Sequence, residues 1–131
     1  MASSNQTTFV VKNMRAVGMH HHGPPQLTLN ANYRLVWEPE CIHDLGNAIA
    51  ICNSRARVQA YLTRKDAAVI SDLFFADILE GTMLAKTSVE PHCVEQKLGP
   101  QQECSVKFKV LNKNSSFVEL LFNKHSFTYE K

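Results

Sequence analysis

Six apolar residues set the strongest constraint on this chain. Leu27, Leu29, Ala31, Tyr33, Leu35 and Trp37 occupy alternate positions, with Thr28, Asn30, Asn32 and Arg34 between them. Successive side chains on a strand point to opposite faces, so this period of two predicts a strand with one face on a core. It stops at Glu38-Pro39, where proline has no N–H to give a sheet ladder.

Further strands follow by the same logic. Thr8 to Lys12 reads as a first short strand, and Gly18-Met19-His20-His21-His22-Gly23-Pro24-Pro25 as a loop punctuated by glycine and proline. Asn47 to Cys52 is a short, nearly continuous apolar run, hence a buried strand, and Arg57 to Leu62 returns across a turn at Asn53–Ala56. Thr63 then caps a helix, with Asp66 three residues later as a short-armed capping box. Val69, Ile70, Leu73, Phe74 and Ile78 recur at helical spacing, and Gly81 is the expected stop. Met83 to Val89, Cys104 to Val110 and Phe117 to Phe122 complete the expected strands, the last with an extension at Phe127–Tyr129. Six or seven short strands and one helix predict a mainly β fold, a small barrel or rolled sheet with the helix across one end.

A chain of 131 residues is about one domain, and 44% apolar content supplies an ordinary core without disulfide or metal staples. We expect residues 1–7 to form a frayed tail and 8–131 one domain. The net charge of +2 excludes a coat of non-specific DNA-binding charge, so any nucleic-acid contact must be local. Cys41, Cys52, Cys93 and Cys104 form no C-x-x-C pair, and the first residues lack both a cationic start and an apolar run. Free thiols, an intracellular compartment and no membrane span are expected.

The stretch from Trp37-Glu38-Pro39-Glu40-Cys41-Ile42-His43-Asp44-Leu45-Gly46 through Asn47-Ala48-Ile49 to Ala60-Tyr61-Leu62-Thr63-Arg64-Lys65 resembles the HIRAN family. Its pattern runs Glu-Pro, a loop closing on Asp, Asn-Ala-Ile, a turn, a returning strand and a basic helix start. The resemblance spans roughly residues 8–110 and implies an OB-like β-barrel of DNA-repair and remodelling proteins that grips the 3′ end of single-stranded DNA. It also implies nuclear residence and no cofactor.

By position, the resemblance assigns Asp44 as acceptor for the terminal hydroxyl, with His43 beside it to stack or donate. Tyr61 takes the position that often holds a His or Tyr near the strand end, and Arg64 with Lys65 would hold phosphates at the helix start. Arg15 matches a further basic residue. The chain departs from the family at Leu45-Gly46, two residues where one is usual, at Ala60 for glycine, and at Cys41 for a polar side chain.

Each assignment has a structural alternative. Asp44 also suits an Asx turn, Tyr61 a barrel rim, and Arg64 and Lys65 a solvated helix start. The departures favour a second function class, a protein-interaction domain that kept the fold. A third is zinc held by Cys41, His43, His92 and Cys93. With no oxyanion motif, phosphate loop or paired carboxylates, an enzyme is not expected. The expected partner is single-stranded DNA, bound by a monomer.

Overall fold

A computed structural model describes residues 5–19, 26–40, 47–93 and 99–131. Within them lie β1 (Gln6–Val17), β2 (Asn32–Glu38), β3 (Ala48–Cys52), β4 (Val58–Leu62), α1 (Arg64–Phe75), β5 (Leu84–Lys86), β6 (His92–Cys93), β7 (Pro100–Leu111), α2 (Ser115–Lys124) and β8 (Thr128–Glu130). The strands pair in the order β7-β5-β2-β3-β4-β1, and β1 pairs back onto β7, closing an antiparallel barrel of six strands. β6 adds to β7 and β8 to β1. The expected small OB-like barrel is the observed architecture.

β1 holds the closure together by serving three neighbours. It pairs with β7 from Gln6↔Leu111 to Ala16↔Gln102, while its middle, Val10 to Lys12, meets β8 and its last residues meet β4. The ladder shifts register between Val11 and Met14, where Asn13 takes a positive φ of 63°. That bulge bends the strand enough to serve both neighbours on one edge.

The alternation starting at Leu27 is strand only from Asn32. A turn takes up the earlier half: Asn30 has a φ of 64° and its N–H donates to the Thr87 carbonyl at 2.7 Å. Leu27, Tyr33 and Leu35 still face the core, but Leu29 is exposed. The β3–β4 turn forms as expected, with Asn53 Oδ1 accepting from the N–H groups of Arg55 and Arg57 at 2.9 and 3.0 Å. β7 is longer than its alternating core, running from Pro100 through the buried Gln101 and Gln102.

The expected end of the helix and the last expected strand need correction. α1 stops at Phe75, not Gly81, because Asp77 adopts a φ of 55° and turns the chain. Ile78 and Leu79 then pack on the core as irregular chain. The run Phe117–Phe122, expected as a strand, is helix α2. Its buried residues are Val118 and Phe122, four apart on one helical face, while Leu120 between them is 72% exposed. A strand would have put all three on one face. Phe122 closes an aromatic cluster, edge-on to Phe9 and Phe108 at 6.1 and 6.0 Å between centroids, with Phe9 stacked on Phe108 at 5.5 Å. The chain thus has a second helix, and the last strand is the short β8.

Candidate functional site

β1 ends, β4 ends and α1 begins at one corner of the barrel. Ala16 pairs with Leu62 and Val17 with Tyr61. Beyond the ladder, the Thr63 N–H donates to the Arg15 carbonyl at 3.1 Å, and the Arg15 N–H donates to Asp66 Oδ2 at 3.1 Å. The expected cap is present, since the Asp66 N–H donates to Thr63 Oγ1 at 3.4 Å. The Asp66 carboxylate, however, spans to β1 instead of closing a capping box. These bonds fix Arg15 beside the first turn of α1, where Arg64 and Lys65 are both exposed.

Asp66 is a buried acid, and burial raises its pKa. The hydrogen bonds from Arg15 and Thr63 and the charges of Lys65 and Arg15 oppose that rise. Its negative charge in the first helical turn also offsets the misfit of two cations with the helix dipole. The Arg15 guanidinium donates from Nη1 to Gln101 Oε1 at 3.3 Å, so β7 contributes to the same corner.

Tyr61 lies on the outer face of β4, opposite Ala50 and Val17. Its hydroxyl donates to Glu38 Oε1 at 2.8 Å, across β3 to the end of β2. Residues 41–46 connect Glu38-Pro39-Glu40 to Asn47. Both flanks of that connection are tied down, by Tyr61 on one side and on the other by Ser71, whose Oγ lies 3.1 Å from Asn47 Oδ1. His43 and Asp44 themselves lie outside the described residues, as does Cys41.

Arg15, Tyr61, Arg64 and Lys65 therefore share one corner with the ends of the 41–46 connection. The sequence did not point to Glu38, Asp66 or Gln101 as parts of it. Their partners are 23, 51 and 86 residues away, so no local pattern could reveal them.

Other candidates fare differently. Trp37 packs between Phe74 and Phe75, at 6.2 and 6.4 Å between ring centroids, as a partly buried core residue. Cys52 and Cys104 are free and buried. Burial pushes the Cys104 thiol up to about 12, and the charges of Asp66 and Glu103 add to it. Among the described residues no three His, Cys, Asp or Glu side chains gather as a metal site. The zinc reading needs Cys41, His43 and the His92 and Cys93 side chains, which lie outside that description, as do His20, His21 and His22. No helix among the described residues is long and apolar enough to cross a membrane.

No protein-family model and no curated protein sequence matches the chain significantly. Solved structures do match. The crystal structure of the HIRAN domain of human HLTF superposes with a TM-score of 0.72 at 15% identity, covering 93% of this chain and 97% of that one. The NMR structure of the HLTF HIRAN domain in its DNA-bound conformation gives 0.63 at 14% identity, over 95% and 90%. Coverage of more than nine-tenths of both chains, together with the closed six-stranded barrel, means that this chain has the fold of the HIRAN domain.

Proposed function

We propose that the chain is a non-catalytic nucleic-acid-binding module that takes the 3′-hydroxyl end of single-stranded DNA at the corner of β1, β4 and α1. The observation that carries the reading is the clamp of Arg15 to Thr63 and Asp66, which gathers Arg15, Arg64 and Lys65 at the end of β4, where Tyr61 reaches Glu38 on the flank of the 41–46 connection. A HIRAN domain of the same fold has been solved in a DNA-bound conformation.

The roles follow from the chemistry of a DNA end. A terminal hydroxyl is a donor, and Asp44 supplies an acceptor. His43 and Tyr61 offer flat faces for the last bases, each stack being worth about 1–3 kcal/mol. Arg15, Arg64, Lys65 and the first N–H groups of α1 face the adjacent phosphates. Ionic contacts fix position while the hydroxyl selects the end. The module works as a monomer, in the nucleus on this reading.

Fluorescence anisotropy with short single strands tests it. A free 3′-hydroxyl should bind better than a 3′-phosphate, and Asp44→Ala should erase that preference. Equal binding of the two ends would refute end recognition. A second reading, a protein-interaction module, draws on the exposed Phe75 at the end of α1, 80% accessible, beside Trp37. It predicts no DNA binding at any salt.

A further inference from the structure

We propose that the outer wall formed by β1, β7 and β5 is a second phosphate-binding surface, which follows the DNA backbone on the 5′ side of the bound end. This deepens the proposed end-binding reading and rests on it.

The placement comes from the ladders. Lys107 and Lys109 are exposed alternate residues of β7, so both point outward, about 7 Å apart. Lys86 of β5 pairs with Ser105, and Arg15 of β1 pairs with Glu103. Residues opposite one another share a face, so Lys86 joins the outward row of β7. Lys12 lies on the β1 side, just before the bulge. The wall therefore runs without a break from the Arg15 corner to Lys109.

Its charge is concentrated. Lys12, Arg15, Lys86, Lys107 and Lys109 share this wall with the carboxylates of Glu80, Glu103 and Glu130, and the buried Asp66 lies behind Arg15. Lys12 is paired with Glu130 at 2.8 Å. Lys86, Lys107 and Lys109 make no ion pair among the described residues. Three unpaired lysines on a rigid sheet are held apart at a cost in mutual repulsion that a polyanion would relieve.

A second observation marks where an anion would sit. The bulge at Asn13 opens a shallow cavity of about 310 Å³ on this wall. Lys12 and Lys86 flank it, and Asn13, Ser88 and Ser105 add polar groups, with Glu103 on the side toward Arg15. The Lys86 ammonium with the Ser88 hydroxyl and the Asn13 amide match the needs of a phosphate, and Lys12, shared with Glu130, adds charge at the edge. The hollow lies one ladder step beyond the Arg15–Glu103 pair, which is the position for the next stretch of backbone from the corner.

The test compares a trinucleotide with a dodecanucleotide, both with a free 3′-hydroxyl, on the full chain and on Lys86→Gln/Lys107→Gln/Lys109→Gln. The lysines are exposed, so the fold should persist, which circular dichroism checks. The wild type should bind the longer strand more tightly. The triple variant should keep the affinity for the trinucleotide and lose the gain with length. Its salt slope should fall by about 2, which is a roughly 20-fold smaller loss of affinity between about 50 and about 200 mM salt. A trinucleotide that binds with end preference while the variant leaves the longer strand unaffected would overturn the wall and leave the end site standing. If neither strand binds, both fall. Lysine-dependent binding to phosphatidylserine vesicles without any gain with DNA length would also overturn the proposal.

Discussion

Tyr61→Phe and Tyr61→Ala separate two jobs of one side chain. The hydroxyl donates to the Glu38 carboxylate at 2.8 Å in a partly buried setting. A hydrogen bond to a charged group contributes about 1.5–3 kcal/mol when well buried. Partial exposure reduces it, so Tyr61→Phe should cost about 1 kcal/mol of stability. The ring remains, and so should its stacking. Tyr61→Ala loses the ring as well, and with it about 1–3 kcal/mol per stacked base, roughly 5- to 150-fold in affinity. Urea denaturation reads the first effect and anisotropy with a short 3′-hydroxyl strand the second. A double cycle with Glu38→Gln isolates the hydroxyl–carboxylate coupling. Should Tyr61→Phe weaken DNA binding as much as Tyr61→Ala, the ring would not be the binding element and the reasoning would fail.

Three further perturbations probe the frame. Phe122→Ala should cost about 3–5 kcal/mol in urea melts, whereas Leu120→Ala should stay within about 0.5; similar costs at both positions would contradict a helix over this run. Asp66 has a raised native pKa, so its contribution to stability is present below the unfolded value near 3.8 and is lost as pH rises through the native one. Asp66→Asn should therefore gain on the wild type as pH climbs from about 3 to about 7, and a drift the other way in urea midpoints would refute this sign. Cys104, with a pKa of about 12, is roughly one part in ten thousand thiolate near pH 8, and Cys52 is also shifted upward by burial. Iodoacetamide should spare both in the native protein and label both in urea, as read by peptide mass mapping.

Much of the barrel is legible because its signals are local. The alternation at Tyr33–Trp37 and Cys104–Val110, the Asn53 turn and the Thr63 cap each carry their own chemistry within a few residues. The misses have a common cause. In Phe117–Phe122 every residue but Glu119 is apolar, and so short a run fits either period; only the Phe9 and Phe108 rings on distant strands choose the helix. At Leu27–Ala31 the alternating pattern is real, but the Asn30 turn onto Thr87 outweighs it. Four of the candidate residues gather at one corner through pairings among β1, β4 and α1, and the resemblance, not the periodicity, named them. Asp66 shows the limit most clearly. Its position three residues after Thr63 announces a cap, yet its carboxylate is occupied by Arg15, far back in the chain.

The most direct test of the central claim is amide chemical-shift mapping of the ¹⁵N-labelled chain with a short single strand carrying a free 3′-hydroxyl. The account predicts that the largest shifts fall at Arg15, Tyr61, Arg64, Lys65 and the 41–46 connection. Shifts confined to the far end of α1 and to α2, or none at all, would contradict it.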